Sequence, residues 1–166
     1  MSWSSKHVIA ACILLCATPS CGFQLRGDPV TGIRTLNVSG PGTAGVATDI
    51  RRALASGPTR VVPTLKDAEA QLRIIAEERD KQVYTITGTG RVYEFELRLT
   101  VSYEMTVPGR EVPVIAPTQA VSRRIITYSE AAPIAKEAEE QLLFKDMQME
   151  LATRILRQVA IARRDM

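Results

Sequence analysis

The chain has 166 residues, a formal net charge of +3 and only 5% aromatic residues. The three cysteines are at positions 12, 16 and 21. The single tryptophan, Trp3, and the single histidine, His7, both precede the first of them. From position 21 onward the chain therefore has no histidine and one cysteine. It can form neither an internal disulfide nor a Ser-His-Asp or Cys-His nucleophile, and it lacks the usual zinc ligands other than carboxylates. We expect no enzyme, no metal site and no cofactor.

The charge balance of the rest of the chain also restricts its partners. Lys6 is the only charged residue before position 21, so 20 of the 21 basic residues and all 18 acidic residues follow it, a net charge of +2. Such a balance does not favour bulk binding to the phosphate backbone, and we expect no nucleic-acid partner. The length after position 21 is typical of one domain.

Residues 1–20 have the features of a bacterial lipoprotein signal peptide. Lys6 is followed by the apolar residues 8–17, a stretch of h-region length and about half of a membrane-spanning helix. Small residues then lead to Cys21, which we predict to be the acylated first residue of the mature protein. Thr18 stands where such signals usually have leucine, so an ordinary cleaved leader with a free Cys21 thiol is the alternative.

After the leader, we predict a lipidated N-terminus and tether over residues 21–34 and a single domain over residues 35–166. Residues 35–39 have the pattern of a first strand. A helix is expected to begin with Thr43 as its N-cap and to end at Gly57-Pro58. Its apolar face consists of Val46, Ile50, Ala53 and Leu54.

The clearest pattern in the chain is a period of two after a Gly-rich turn. Residues 72–86 predict a second strand in which Leu72, Ile74 and Ala76 share one face, and the turn follows at residues 87–90. From 93 to 107 every odd residue is apolar, and every even residue from 94 to 106 is polar. This alternation predicts a long strand with one buried and one solvated face, paired with the second strand in an antiparallel hairpin.

The last third of the chain predicts a loop, a strand and a long helix. Residues 110–118 are expected to form a loop or irregular edge, and residues 120–128 a further strand. Pro133 suits the first turn of a helix that ends near Ala162. The helix has an apolar stripe of Leu143, Met147, Leu151, Ile155 and Val159. The fold class is therefore α+β: a sheet of about four strands, mostly antiparallel or mixed, with two helices packed on one face.

The run Cys21-Gly22-Phe23-Gln24-Leu25-Arg26 resembles the opening of the LptE family of LPS-assembly lipoproteins, and the predicted order of elements is similar to that of the family. The resemblance implies an outer-membrane lipoprotein that plugs the LptD β-barrel, helps it to assemble and contacts lipopolysaccharide during transport to the cell surface. Acyl chains on Cys21 would hold the protein in the inner leaflet of the outer membrane, facing the periplasm or inside the barrel lumen.

The resemblance also implies lipopolysaccharide contacts by two basic residues, Arg91 near the hairpin turn and Lys136 near the start of the last helix. Lipid A has phosphates, with which arginine and lysine form charge-assisted hydrogen bonds. Without the resemblance, both residues are more simply solvated surface charges. The alternative function is an accessory lipoprotein of another envelope lipid-transport complex.

Overall fold

The computed structural model describes residues 31–129 and 131–166, so the predicted leader and Cys21 lie outside the described residues. The elements below are numbered in chain order. The helices are α1 (Gly45–Ala55) and α2 (Pro133–Ala162), and short 3₁₀ turns occupy Leu65–Asp67 and Arg163–Asp165. The strands are β1 (Thr35–Ser39), β2 (Arg60–Val61), β3 (Ala70–Ile86), β4 (Val92–Thr106) and β5 (Ile115–Thr127).

The five strands form one mixed sheet in the order β2-β1-β3-β4-β5. Strand β1 is parallel to β2 and β3, whereas β3, β4 and β5 are joined antiparallel. This confirms the predicted α+β class. The sheet has one strand more than predicted, because β2 has only two residues and is too short to show an alternation of polar and apolar side chains.

The core lies between one face of this sheet and the two helices. The odd residues of β4 from Leu97 to Met105 are at most 4% exposed, as the alternation predicted. Met147, Leu151, Ile155 and Val159 of α2 are fully buried in the same cluster, together with Val46, Ile50 and Leu54 of α1. Each such side chain contributes about 1.5–3 kcal/mol by leaving water. Leu143, at the start of the predicted stripe, is only partly buried.

The start of α1 differs from the prediction. The helix begins at Gly45 after Ala44, and Thr43 makes no side-chain cap. Its Val46 N–H instead donates to the carboxylate of Glu77, on β3, at 2.8 Å. A carboxylate at a helix N-terminus is favourable because the first N–H groups have no partner within the helix. A residue distant in sequence thus replaces the local cap.

Strand β3 contains a register shift that changes which side chains face the helices. Leu72 and Ile74 pair with Met105 and Tyr103 of the buried face of β4. Between Ile74 and Ala76 the register shifts, and Ala76 pairs with Ser102 on the open face of the sheet. The prediction that Ala76 shares the face of Leu72 was therefore wrong. A β-bulge adds one residue to a strand and exchanges its two faces from that point on.

Strand β5 begins at Ile115, five residues before the predicted start at Ala120. Of the two alternatives predicted for residues 110–118, a loop or an irregular edge, the structure shows the irregular edge from Ile115 onward, where the pairing with β4 shifts register. Pro117 lies inside the strand. This is possible because β5 is at the edge of the sheet, where a missing N–H removes no required ladder hydrogen bond.

Neither α1 nor α2 has the combination of length and apolar composition needed to cross a bilayer, and this holds for the part of the chain that the structure describes.

Candidate functional site

Lys136 lies in the first turn of α2. Pro133 occupies the first helical position, where its missing N–H costs nothing, and the Lys136 N–H donates to the Ala132 carbonyl at 3.1 Å. The Lys136 ammonium donates to the Thr127 hydroxyl at 3.2 Å and to the Glu139 carboxylate at 2.8 Å. Its side chain is 24% exposed. The Lys136 ammonium is thus fixed by hydrogen bonds to α2 and to the end of β5, and it remains accessible to solvent.

Arg91 lies in the turn between β3 and β4. The turn is closed by a hydrogen bond from the Thr87 N–H to the Arg91 carbonyl at 2.7 Å and by one from the Arg91 N–H to the Thr87 hydroxyl at 3.1 Å. Gly90 has a φ of +80°, a conformation that residues with a side chain rarely adopt. The turn therefore presents Arg91, which is exposed, at the far end of the hairpin.

The structure places Arg91 and Lys136 at the same end of the sheet, on different elements. Thr127, the partner of Lys136, pairs with Glu94 at the start of β4, and the Tyr128 N–H donates to the Tyr93 carbonyl at 2.8 Å. Arg91 precedes Glu94 by three residues, which places its backbone about 10 Å further along the strand direction. The two predicted residues thus belong to one region of the surface.

Lys81 is a third cation at this end, and the sequence analysis missed it. Its ammonium forms an ion pair with Glu140 of α2 at 2.6 Å and lies 4.5 Å from the centre of the Phe95 ring. Lys81 faces the helices only because of the bulge near Ala76, which the sequence pattern did not reveal. It lies in a run of five charged residues, 77–81, from which the sequence pattern did not single it out.

Lys81 and Lys136 border a small cavity of about 110 Å³ between the sheet and the start of α2. The rings of Phe95 and Tyr128 meet edge to face inside it, with centres 5.6 Å apart and planes at 89°. The remaining lining residues are Ile126, Thr127, Pro133, Glu137 and Glu140. The cavity combines aromatic walls with cations and carboxylates, so it suits an amphiphilic group better than a purely polar one.

The hairpin beyond this cavity is apolar and exposed. We call residues 83–93 the hairpin tip. Tyr93, predicted to be buried, is 52% exposed, and Phe95 is only partly buried, because the helices cover β4 from Leu97 onward. Large exposed apolar side chains at or beside the tip are Val83, Tyr84, Ile86, Tyr93, Ile125, Tyr128 and Ile134.

The chain enters the domain at the opposite end of the sheet. Thr31 is buried, and its hydroxyl lies 2.6 Å from that of Thr59, just before β2. A Cβ at Gly32 would collide with the guanidinium of Arg163, so Gly32 lies close beside this residue, which follows the end of α2. The described chain therefore starts beside the end of α2, whereas the hairpin tip lies beyond the start of that helix.

A groove of about 620 Å³ lies between β5 and the last turns of α2, and neither Arg91 nor Lys136 lines it. Burial raises the pKa of the hydroxyl of Tyr103, which lines this groove, and outweighs the positive charge of Arg154, which lowers that pKa. Tyr103 therefore remains neutral at physiological pH and is a poor nucleophile. Within residues 31–129 and 131–166 we find no group of three Asp, Glu, His or Cys side chains that could hold a metal ion.

Solved structures with the same arrangement of sheet and helices define the class of protein. The lipoprotein B of Nitrosomonas europaea superimposes with a TM-score of 0.71 at 30% identity, over 84% of this chain and 90% of that one. The rare lipoprotein B of Shewanella oneidensis gives a TM-score of 0.70 at 26% identity, over 80% of this chain and 98% of that one. The fold is thus that of small bacterial lipoproteins.

The family model described as LptE, lipopolysaccharide-assembly, matches residues 33–159. The chain is also 27% identical over 161 residues to the LPS-assembly lipoprotein LptE of Yersinia pestis (strain Pestoides F), covering 93% of this chain and 76% of that protein. The chain therefore belongs to the LptE family of LPS-assembly lipoproteins, which confirms the resemblance seen in its opening residues.

Proposed function

We propose that this chain is an outer-membrane lipoprotein, acylated at Cys21, which plugs an LptD-type β-barrel, helps that barrel to assemble and contacts lipopolysaccharide on its way to the cell surface. Its role is one of binding and assembly, without catalysis. Membership in the LptE family supports the proposal. The main observation in its favour is that the two ends of the domain differ: the described chain starts at one end, and Arg91 and Lys136 lie at the other.

The length of the hairpin fits this geometry. Strands β3 and β4 have 17 and 15 residues, which corresponds to about 50 Å. The hydrocarbon core of a bilayer is about 30 Å thick. The ten Cα-to-Cα steps from Cys21 to Thr31 reach at most about 35 Å. An anchor in the inner leaflet thus keeps one end of the domain at the periplasmic side, and a hairpin inside a barrel is long enough to bring its tip to the opposite side.

The open face of the sheet fits the polar interior of a barrel. It carries the polar even residues of β4, which are partly exposed and form ion pairs such as Arg73–Glu104 and Arg98–Glu96, both at 2.6 Å. The lumen of outer-membrane barrels is polar, whereas their outer wall is apolar. A polar sheet face can therefore dock there without burying unpaired charges. The even residues of this face are Glu94, Glu96, Arg98, Thr100, Ser102, Glu104 and Thr106.

Lys136 is suited to exchange one anion for another. Its present partners, the Glu139 carboxylate and the Thr127 hydroxyl, hold the ammonium at the surface with its side chain partly accessible. A lipid A phosphate can replace Glu139 as the acceptor, and a phosphate offers more charge than a carboxylate. The exposed i,i+3 pair between Lys136 and Glu139 is weak enough to be exchanged.

The lipopolysaccharide contact is tested by Lys136→Asp, with Lys145→Asp as the matched control. Lys145 is exposed on the same helix, two and a half turns further along. We expect Lys136→Asp to weaken the binding of purified lipopolysaccharide about tenfold or more, because a favourable charge pair becomes a repulsive one. Lys145→Asp should bind as the wild type does, and both should keep the wild-type circular dichroism. Equal affinities of the two variants would remove Lys136 from the site.

The barrel and the anchor are tested by purifying a C-terminally tagged protein from outer membranes in mild detergent and measuring its N-terminal mass. A stoichiometric large β-barrel together with acylated Cys21 is the expected result. An acylated protein that brings down ABC-transporter subunits instead would favour the accessory-lipoprotein alternative. An unmodified thiol at Cys21 would contradict the lipid anchor.

A further inference from the structure

The hairpin tip has an unusual composition. Its eleven residues, 83–93, contain a single charged side chain, Arg91, whereas all five residues from 77 to 81, separated from the tip by Gln82, are charged. The apolar side chains of the tip are not hidden: Val83, Tyr84 and Ile86 are all more than half exposed. The tip therefore presents apolar surface to its surroundings beyond the region that the helices cover.

Several polar groups of the tip have hydrogen-bond partners within the tip itself. The turn is closed by backbone hydrogen bonds from Thr87 to Arg91 at 2.7 Å and from Gly90 to Thr87 at 2.9 Å. The Thr87 and Thr89 hydroxyls lie 2.9 Å apart, and the Thr85 hydroxyl donates to Glu94 at 2.8 Å. Polar groups that already have partners lose little when they leave water. These internal hydrogen bonds lower the cost of moving the tip into an apolar medium.

The apolar side chains of the tip occur on both of its strands and continue up to the turn. Val83 pairs with Phe95, and Ile86, the last residue of β3, pairs with Val92, the first residue of β4. Three of the four tyrosines, Tyr84, Tyr93 and Tyr128, are exposed at this end. Exposed tyrosine is typical of the boundary between hydrocarbon and water, where its ring is apolar and its hydroxyl is hydrated.

From these observations we propose that the hairpin tip inserts among the acyl chains of lipopolysaccharide, with Ile86 and Val83 in the hydrocarbon and Arg91 at the level of the phosphates. The identity of the lipid rests on the proposed function. The combination of an apolar tip with cations at its border, Arg91, Lys136 and Lys81, matches a molecule that has phosphates directly beside its acyl chains. The tip thus supplies the apolar half of the lipopolysaccharide site.

The test compares Ile86→Ser with Val112→Ser in the full mature chain. Val112 is a matched control because it is similarly exposed, at 67% against 63% for Ile86, and lies in the loop at the opposite end of the sheet. The probes are purified lipopolysaccharide and the same molecule after removal of its acyl chains, which keeps its sugars and phosphates. Ile86→Ser should bind intact lipopolysaccharide about tenfold more weakly. Binding of the deacylated molecule should be unchanged, and Val112→Ser should match the wild type with both probes.

The other outcomes overturn the proposal in identifiable ways. Wild-type affinity of Ile86→Ser for intact lipopolysaccharide would show that the tip does not contact acyl chains. If Ile86→Ser binds intact lipopolysaccharide as the wild type does but no longer co-purifies with the barrel, the tip is a protein interface instead. Ile86→Cys with an environment-sensitive dye should shift to the blue with lipopolysaccharide and not with phosphatidylethanolamine–phosphatidylglycerol vesicles; an equal shift with both would contradict the choice of lipid. A wild-type chain that binds neither probe would instead refute the lipopolysaccharide contact in the proposed function.

Discussion

The buried carboxylate of Glu77 connects three elements, and its removal should destabilise the domain strongly. Its side chain is 6% exposed. It accepts a hydrogen bond from the Val46 N–H of α1 at 2.8 Å and another from the Gln148 amide of α2 at 2.6 Å, and Arg79 lies 3.8 Å away. We predict that Glu77→Ala lowers the free energy of unfolding because it leaves two donors without their acceptor.

The magnitude follows from these two hydrogen bonds. Loss of the helix cap costs about 0.5–2 kcal/mol. Loss of a charged acceptor for the buried Gln148 amide costs about 1.5–3 kcal/mol. Because the two contacts share one side chain, their effects do not add fully, and we expect about 2–4 kcal/mol in total. A domain of this size should then melt about 10 °C lower.

The assay is urea unfolding of the mature chain in mild detergent, followed by circular dichroism. The matched control is Glu78→Ala, since Glu78 is the next residue, is exposed and pairs with Thr100 on the open face. Its free energy of unfolding should change by less than about 0.5 kcal/mol. Glu77→Gln keeps one acceptor oxygen and should lose about half as much stability as Glu77→Ala. Equal effects of the alanine variants at 77 and 78 would refute the role of this carboxylate.

Further predictions concern the core, the start of α1 and the response to acid. Leu97→Asp should prevent folding, seen as loss of the circular dichroism of the sheet, because it buries an unpaired charge at a fully covered position, whereas Glu96→Lys on the open face should stay folded. Gly45→Ala should lower the melting temperature, since its Cβ would collide with the side-chain amide of Gln148, and Gly42→Ala, with open space around it, should not. Partial burial raises the pKa of Glu150, but hydrogen bonds from Ser122 and Arg124 outweigh it and hold the pKa below the ordinary 4.5. The stability from Glu150 is thus complete above pH 4.5 and lost as the pH falls through the lower folded-state pKa, so in urea titrations Glu150→Gln should lose less stability in acid than the wild type.

The sequence predicted the elements whose periodicity is long and regular. The alternation in β4 and the i+4 stripe in α2 predicted both elements and most of their buried residues. A periodic pattern over many residues puts the apolar side chains on a single face, and that face must be the buried one. The limits of β1 and α2 were also confirmed. The early start of β5 was not predicted because Pro113 and Pro117 are typical of a loop. Proline is excluded from central strands, but an edge strand such as β5 tolerates it.

The details that shape the candidate site were not accessible from the sequence. The bulge before Ala76 exchanges the faces of β3, and it brings Glu77 to the start of α1 and Lys81 to α2. A bulge depends on the pairing with the neighbouring strand, so the pattern of polar and apolar residues in β3 alone does not show where it lies. Arg91 and Lys136 were named through the family resemblance, and charge alone did not separate them from other surface cations.

The central claim, that the domain sits inside an outer-membrane barrel, is tested most directly by cross-linking in living cells. A photoreactive residue in place of Arg123, which is exposed on the open face of the sheet opposite Arg98, reports the nearest partner. We predict one major adduct with a large β-barrel of the LptD type. Adducts confined to ABC-transporter subunits, or no adduct while the protein is present at its normal level, would contradict the plug.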